Sequence, residues 1–173
     1  MAENWDKREW KYAIIAYLAV FLIIWGMMWA IKQIYHLPLT PDETFRPYMG
    51  ILPEENTFLE VWQRWDTLQY QAIAKGGYDA FENALFVPPL YPLLMRGFGN
   101  LLGGKTLLAG FILSNIFGVA ALMAFQRLVF YEFGDIKQAR RATLYLLSFP
   151  TAFFIFAAYT ESLFFLGAIL CLL

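Results

Sequence analysis

Long apolar stretches alternate with short polar connections along the chain, and each stretch predicts a helix. Residues 12–31 contain no charged side chain over 20 positions, which at the rise of an α-helix matches the hydrocarbon core of a bilayer. Residues 106–130 form a second apolar stretch, whose interior holds the small polar pair Ser114 and Asn115. We therefore predict two membrane-spanning helices, at 12–31 and 106–130.

Two further apolar stretches follow toward the end of the chain. Residues 142–160 predict a third span, whose helix is capped in the preceding loop by Asp135 and Gln138. Pro150 in its interior predicts a kink that frees a backbone carbonyl, which then needs a buried partner. Residues 162–173 predict the start of a fourth span. We expect 1–173 to be a single membrane domain, the N-terminal part of a longer polytopic protein that is inactive as this fragment alone.

The composition agrees with a membrane protein and excludes some classes of function. The chain is 60% hydrophobic, above the roughly 45–50% of a soluble domain. Its net charge is −1 and its basic residues form no long run, which excludes a nucleic-acid binder. Cys171 is the single cysteine, so an internal disulfide is impossible.

The distribution of charge orients the predicted spans. Lys7, Arg8 and Lys11 precede the first span, and residues 127–141 between the second and third spans are again basic. The connection after the first span is acidic, with Asp42, Glu43, Glu54, Glu55 and Glu60. By the positive-inside rule, the N-terminus is cytoplasmic and the long first loop is extracytoplasmic.

This first loop predicts an amphipathic helix at the membrane interface. Thr57 and Glu60 have the spacing of a capping box, apolar residues recur at three- and four-residue steps, and two glycines follow Lys75. The predicted interfacial helix is 57–75. A proline-rich juxtamembrane segment follows at 86–104, for which we expect a short helix at the outer surface, because its prolines exclude a regular helix at its beginning.

Asp66 is the candidate catalytic residue of this loop. On a continuous helix it shares one stripe with Trp62, four positions before, and Tyr70, four positions after. Aromatic rings pack against the apolar faces of sugars, and a carboxylate can accept a hydroxyl proton. Alternatively, Asp66 only pairs with Arg64 or Lys75 on a solvated face, and the spacing does not decide between these interpretations.

Glu161 is the second candidate, since it separates two apolar segments at the predicted outer end of the third span. An acidic residue beside hydrocarbon usually faces a cavity or a partner, which favours a place in a site. Alternatively, Glu161 only supplies a polar side chain to the connection between two membrane helices and has no place in a site.

Three ordered blocks carry a family resemblance: RWDTLQYQAIAKGGY at 64–78, FVPPLYPLL at 86–94 and SFPTAFFIFAAYTESLFF at 148–165. Together they resemble the PIG-V family, the mannosyltransferases that add the second mannose in glycosylphosphatidylinositol assembly, with their prokaryotic relatives. Where this family usually has two consecutive phenylalanines, this sequence has Phe86 followed by Val87. The resemblance implies an all-α integral membrane fold, a GT-C-type bundle of transmembrane helices with an interfacial helix in its first extracytoplasmic loop.

The resemblance also implies an activity, the inverting transfer of a sugar, in this family mannose, from a polyprenyl-phosphate carrier. Asp66 matches the expected catalytic base. The substrate-binding residues implied by the matching blocks are Trp65, Tyr70, Tyr91, Tyr159 and Glu161. Arg64 and Arg96 are the cations available to stabilise the departing phosphate, or to contact lipid headgroups.

The expected partners are the polyprenyl-phosphate sugar, the bilayer, and a glycolipid or other extracytoplasmic acceptor. No metal site is assigned, and dependence on a divalent cation stays open because GT-C enzymes include both kinds. The first loop lacks an Asn-x-Ser/Thr sequon, which favours a prokaryotic plasma membrane over the endoplasmic reticulum.

Two other functions remain open from the sequence. A transporter or flippase-like module also places proline and acidic residues where helices line a substrate path. A non-catalytic assembly subunit would have the fold of a glycosyltransferase without its activity.

Overall fold

The chain folds into helices joined by loops, as a computed structural model that describes Trp5 and residues 8–35 and 50–173. Within these residues the α-helices are α1 Arg8–Ile34, α2 Thr57–Glu60, α3 Asp66–Gly76, α4 Leu90–Leu101, α5 Thr106–Phe133, α6 Ile136–Ser148 and α7 Glu161–Leu172. Two 3₁₀ helices span Ala84–Phe86 and Pro150–Ile155, and this part of the chain contains no strand. The predicted all-α class is confirmed; Lys7, Asp42 and Glu43, used above for orientation, lie outside the described residues.

Two helices, α1 and α5, are long and apolar enough to cross a membrane. They contain 27 and 28 residues, about 40 Å each at 1.5 Å per residue. They include the predicted spans 12–31 and 106–130. The helix α5 lies at the centre, in contact with α1, α4, α6 and α7. Much of α1 instead exposes large apolar side chains, including those of Ile15, Leu22 and Met27.

The helix α1 runs antiparallel to α5, packs closely against it at one point, and makes polar contacts with neighbouring helices near both of its ends. A Cβ atom added at Gly118 of α5 would lie 2.7 Å from the Tyr17 hydroxyl, so only glycine fits there. Near the start of α1, the buried Glu9 accepts two hydrogen bonds from Arg140 of α6, at 2.9 and 2.6 Å, and one from Gln126 of α5 at 3.3 Å. Near its end, Lys32 forms an ion pair with Glu60 of α2.

The predicted third span is interrupted at Pro150, where the sequence indicates only a kink. The helix α6 starts at Ile136, with Asp135 accepting a hydrogen bond from the Lys137 backbone N–H at 2.8 Å as its N-cap. It ends at Ser148, because the residue before a proline is driven into extended backbone. A 3₁₀ helix and an irregular stretch then lead to Thr160, so no single helix covers 142–160.

Side chains from three helices donate hydrogen bonds to the backbone carbonyls that this interruption leaves without helical partners. Ser114 Oγ of α5 donates to the Tyr159 carbonyl at 2.8 Å, and Asn115 Nδ2 donates to the Phe156 carbonyl at 3.1 Å. The Tyr17 hydroxyl of α1 lies 3.4 Å from the Ile155 carbonyl, and Thr67 Oγ1 of α3 lies 3.4 Å from the Ala158 carbonyl. A buried carbonyl without a donor is costly, so these bonds fix the irregular stretch.

The first loop differs from its prediction, because two helices replace the continuous helix over 57–75. The helix α2 ends after four residues, and α3 starts only at Asp66. The cap of α2 is also different: Asn56 Oδ1 accepts from the backbone N–H groups of Phe58 and Leu59, at 3.0 and 3.4 Å, in the place predicted for Thr57.

Buried side chains between α2 and α3 account for the break. The Trp62 ring enters the core and stacks on Phe21 of α1, with 6.1 Å between ring centroids. The amide of Gln63 is buried, where it donates to the Leu52 carbonyl at 3.1 Å and accepts from the Glu54 backbone N–H at 2.7 Å. The buried positions of Trp62 and Gln63 are therefore incompatible with one continuous helix over 57–75.

The segment 86–104 forms the 12-residue helix α4 directly after its first two prolines. This helix packs against α3 and α5. The short helix predicted within this segment is therefore present, and its packing on α3 is a contact that the sequence pattern did not indicate.

We expect Ser114→Ala to destabilise the protein by about 1–3 kcal/mol, because the buried Tyr159 carbonyl loses its donor. Unfolding of the purified protein in detergent micelles measures this loss. Ser148→Ala makes the same chemical change at an exposed position and should be close to neutral. Equal effects of the two substitutions would contradict the role of Ser114.

Candidate active site

Asp66 is the first residue of α3, at a sharp change in chain direction. The preceding Trp65 has a positive φ of 44°, a conformation that costs a non-glycine residue about 1–3 kcal/mol. Its ring is 68% exposed and lies 6.5 Å from that of Phe153, between centroids. The Asp66 carboxylate is partly exposed at the N-terminus of a helix, whose dipole favours negative charge.

A cavity of about 370 Å³ opens beside Asp66. Small-molecule sites typically measure about 300–1,000 Å³, so this volume admits a ligand the size of a single sugar. The polar side chains of its wall are Asp66, Gln69 and Asn83, and the aromatic ones are Tyr70, Phe81 and Phe86. A carboxylate and several rings therefore face the same space.

Tyrosine side chains connect α3 to the irregular stretch after α6. The Tyr70 hydroxyl lies 3.2 Å from Thr160 Oγ1, and its ring meets that of Tyr159 edge to face at 6.2 Å. The Tyr159 hydroxyl donates to the Arg64 carbonyl at 3.2 Å. Burial, with smaller contributions from the charges of Asp66 and Glu161, raises the pKa of Tyr70 to about 12, so this phenol is neutral at physiological pH.

Glu161 begins α7 and is half-buried. Its Oε2 atom is buried without a hydrogen-bond partner in the described part of the chain. Burial, and to a smaller extent the charge of Asp66, raises the pKa of Glu161 above its ordinary value. Asp66 and Glu161 are thus close enough to interact although 95 positions separate them in the sequence. The structure places Asp66, Tyr70, Tyr159 and Glu161 in one cluster.

Tyr91 lies behind this cluster. Its side chain is 1% exposed, and its hydroxyl donates to the Gly110 carbonyl at 3.0 Å and shares a 2.6 Å hydrogen bond with Ser114 Oγ. The Tyr91 ring packs edge-on against Tyr70, with 5.2 Å between centroids. Tyr91 therefore supports the ring that lines the cavity and does not line it.

The two predicted cations take different positions. Arg96 donates from Nε to the Ala74 carbonyl at 2.6 Å and from Nη2 to the Ile73 carbonyl at 3.0 Å. Ala74 follows Asp66 by eight positions, about 12 Å along α3, so the structure does not bring Arg96 to Asp66. Arg64 donates from Nη1 to the carbonyls of Glu60 and Gln63 and lines a different cavity.

This second cavity, of about 260 Å³, lies between the end of α1, α2 and the 3₁₀ helix Pro150–Ile155. Apolar side chains form most of its wall: Met28, Ile31, Val61, Trp62, Trp65 and Phe153. Lys32, Glu60 and Arg64 are its ionisable side chains, with the Tyr159 phenol beside them. Trp65 therefore lines the apolar cavity, whereas its neighbour Asp66 lines the polar one.

Three polar residues of these cavities, Lys32, Gln69 and Asn83, were missed by the sequence reasoning. Gln69 and Asn83 carry no pattern that distinguishes them from other loop amides. Lys32 is a boundary cation at the end of a predicted span, a signal that could have indicated a place near the membrane surface. Within the described residues, no group of three or more His, Cys, Asp or Glu side chains is arranged to hold a metal ion.

Asp66 and Tyr70 do not share a stripe with Trp62 as predicted, because α2 and α3 are separate helices and Trp62 packs in the core.

Comparison of the chain with protein-family models, with curated proteins and with solved structures found no match.

Proposed function

We propose that this protein is a membrane glycosyltransferase that moves a sugar, mannose by the family resemblance, from a polyprenyl-phosphate carrier to a glycolipid or other extracytoplasmic acceptor. One observation carries the proposal: the Asp66 carboxylate lines a sugar-sized cavity together with aromatic rings. The resemblance of the blocks around Asp66, Tyr91 and Glu161 to the PIG-V family supports the same activity independently of this geometry.

The proposed reaction is an inverting displacement. An acceptor hydroxyl oxygen attacks the anomeric carbon while Asp66 takes the hydroxyl proton. The bond between this carbon and the phosphate oxygen breaks on the opposite face, and its electron pair leaves with the lipid phosphate. Asp66 is suited to this role because its carboxylate lines the cavity, where it can accept the hydroxyl proton.

Aromatic side chains would hold the sugar. Tyr70 and Phe86 line the cavity, and a ring face packs well against the apolar face of a pyranose. The neutral Tyr70 phenol lies within hydrogen-bonding distance of Thr160, and this contact fixes the orientation of the Tyr70 ring in the cavity wall. Tyr91 and Tyr159 then act as positioning residues, because both contact the Tyr70 ring.

Glu161 would support the same site from behind the cavity wall, since it does not line the cavity. Because its pKa is raised, its carboxyl keeps a proton at higher pH than an exposed glutamate does. In that form it does not add a second negative charge beside Asp66. The two carboxyl groups thereby take different roles.

The proposed topology puts this site outside the cytoplasm, in a GT-C-type bundle whose first-loop helices α2, α3 and α4 lie at the interface. The basic residues Arg127, Lys137 and Arg141 lie at the opposite end of α5 from Thr106, on the proposed cytoplasmic side. The membrane we propose is a prokaryotic plasma membrane.

A transporter or flippase-like module is the second candidate, and the break after α6 favours it. Transporter sites often lie where a membrane helix is interrupted and its freed backbone groups line a path. In this protein the freed carbonyls of Ile155, Phe156, Ala158 and Tyr159 are instead occupied by side-chain donors. This occupancy supports the enzyme over the transporter.

We expect Asp66→Asn to lower sugar transfer about 100-fold or more while the fold is kept, because the amide cannot accept the hydroxyl proton. The assay uses membranes containing the protein at its natural length and labelled polyprenyl-phosphate sugars. Asp79→Asn is the matched control, since Asp79 is exposed and does not line the cavity. Transfer at the normal rate by the Asp66 variant would exclude it as the base. Movement of the labelled lipid across the membrane without transfer would favour the transporter, and no use of the lipid at all would favour an assembly subunit.

The raised pKa of Glu161 predicts a particular dependence of stability on pH. Between the ordinary value of 4.5 and the raised value, the folded state binds the proton more tightly than the unfolded state. Stability therefore falls as pH rises through this window. We expect Glu161→Gln to lose less thermal stability than the unmodified protein as the pH rises above 4.5. Glu132→Gln, at an exposed position, should behave like the unmodified protein. A Glu161 variant with the unmodified pH profile would show that this carboxyl titrates normally.

Cysteine labelling tests the topology. With Cys171 changed to serine, single cysteines at the exposed positions Asp79 and Lys137 should differ in reaction with a membrane-impermeant maleimide added to intact cells. We expect reaction at position 79 and protection at position 137. The opposite pattern would place Asp66 in the cytoplasm and remove the basis of the proposed reaction.

A further inference from the structure

We infer that a third cavity, at the N-terminus of α5, binds a phosphorylated polyol, a phosphate ester with free hydroxyl groups such as glycerol phosphate. This cavity has a volume of about 1040 Å³ and is lined by residues around Glu54, by the α3 side chains Gln71 and Lys75 and by the start of α5. Among the described residues it shares no lining residue with the two cavities above. The inference is therefore independent of the proposed sugar transfer.

The helix α3 separates this third cavity from Asp66. Gln71 and Lys75 line the third cavity from one face of α3, since they are four positions apart. Asp66 and Tyr70 line the polar cavity from another face. Gln71 follows Asp66 by five positions, which is about 140° around a helix of 3.6 residues per turn. A ligand of the third cavity therefore contacts a different side of α3 from a ligand at Asp66.

The start of α5 presents positive charge to the third cavity. The first N–H groups of a helix have no acceptor within that helix, and the helix dipole is positive there. The N-cap of α5 is Lys105, which makes no side-chain cap, and the first turn of α5 contains no acidic residue. Lys105, Leu107 and Leu108 all line the cavity. An anion in the cavity would therefore complement both the helix end and the Lys105 ammonium group.

Thr106 adds a hydroxyl group that has no partner. It is the first residue of α5, lines the third cavity and is only 5% exposed. Its Oγ1 atom is buried without a hydrogen-bond partner in the described part of the chain, which is unfavourable for a hydroxyl. Its methyl group makes the close contact with α4, since a Cβ atom added at Gly99 would lie 3.2 Å from Thr106 Cγ2. A ligand oxygen in the cavity would supply the missing partner.

The sequence GNLLGGKT at residues 99–106 also matches the pattern G-x-x-x-x-G-K-T of phosphate-binding loops. In those loops the pattern connects a strand to a helix. In this protein Gly99 lies inside α4, so only the second half of the pattern, a glycine turn followed by Lys105 and Thr106 at a helix start, keeps its place. Gly104 in that turn has a positive φ of 87°, which favours glycine. This half supports phosphate binding and does not support a nucleotide-hydrolysing fold.

The other polar walls favour a ligand with hydroxyl groups over a bare phosphate. Lys75 supplies a second cation, whereas Glu54 and Glu55 supply two carboxylates, so the side chains alone do not select an anion. Carboxylate oxygens accept hydrogen bonds from hydroxyl groups. Gln71 Oε1 accepts from Gln63 Nε2 at 3.2 Å, which leaves the Gln71 Nε2 group to donate. The phosphate would therefore lie at the start of α5 and the hydroxyl groups at the carboxylates and the amide.

Calorimetric titration tests the inference on the purified protein in phosphatidylcholine nanodiscs. We expect sn-glycerol 3-phosphate to bind at one saturable site. Glycerol lacks the phosphate and inorganic phosphate lacks the polyol, so each should bind at least about tenfold more weakly. Absence of binding by sn-glycerol 3-phosphate would overturn the inference. Equal affinity for inorganic phosphate, or for glycerol, would overturn the assigned class of ligand.

Matched variants locate the site. Thr106→Val removes the hydroxyl group and should lower the affinity about tenfold. Its thermal stability should not fall, because Oγ1 has no partner to lose. Thr57→Val makes the same change at the first residue of α2, which is exposed and does not line the cavity, and should bind normally. Equal affinities of the two variants would exclude the start of α5 as the site.

A charge variant gives the same answer where Thr106→Val does not fold. Lys105→Gln changes an exposed side chain and should also weaken binding, whereas Lys137→Gln, at the other end of α5, should not. Normal binding by Lys105→Gln would contradict the inference. Asp66→Asn should bind normally, so a failure of the catalytic proposal and a failure of this one are distinguishable.

The lipid composition of the nanodisc distinguishes a headgroup from a soluble ligand. The third cavity lies at the start of a helix able to cross a membrane, where lipid headgroups are near. If the polyol phosphate belongs to a lipid, phosphatidylglycerol should weaken binding of sn-glycerol 3-phosphate more than phosphatidylserine of the same charge does. Equal effects of the two lipids would identify a soluble ligand. Either result identifies the source, and the titrations above decide whether the site exists.

Discussion

The side-chain hydrogen bonds to the backbone of residues 155–159 are the constraint on which the candidate site depends. A proline ends α6 inside the helix bundle, and the following residues leave the helical path. Ser114, Asn115, Tyr17 and Thr67 replace the helical donors that the carbonyls have lost. An apolar environment makes a bare carbonyl costly, so the irregular stretch has one well-determined path. That path delivers Tyr159, Thr160 and Glu161 to the side of α3 where Asp66 lies.

Two helix N-termini converge at this point, and their carboxylates respond to opposing effects. Asp66 begins α3 and Glu161 begins α7, so both lie where helix N-termini attract negative charge. Burial and mutual repulsion oppose that charge at Glu161. The raised pKa of Glu161 shows that burial and repulsion outweigh the dipole there. Asp66 is open to a cavity and keeps contact with solvent. The two carboxyl groups therefore have different surroundings, one buried and one facing a cavity.

The sequence could predict those features that depend on neighbouring residues. The apolar segments at 12–31 and 106–130 are long enough to identify α1 and α5, and Asp135 is visible as a helix cap. These signals persist in the structure because each acts within a few turns of its own helix.

Features that depend on distant contacts were not predictable. Apolar spacing alone cannot detect the break between α2 and α3, because each helix satisfies the same spacing and the break follows from the anchoring of Trp62 and Gln63. The position of Arg96 depends on how α4 packs against the C-terminal end of α3. Family resemblance, and not periodicity, indicated that Tyr159 and Glu161 belong with Asp66.

The polar contacts at the two ends of α1 also determine its register along the bundle. Most apolar side chains of α1 face outward, and lipid-like surroundings would accept them equally well if the helix slid along its axis. A slide of one turn, about 5.4 Å, would separate Glu9 from Arg140 and Lys32 from Glu60 at the same time. The two pairs therefore add to the close approach of Tyr17 and Gly118 in fixing the position of α1 along its axis. The depth of Lys32 and of the apolar cavity that it lines is thus set partly by a buried glutamate at the other end of α1.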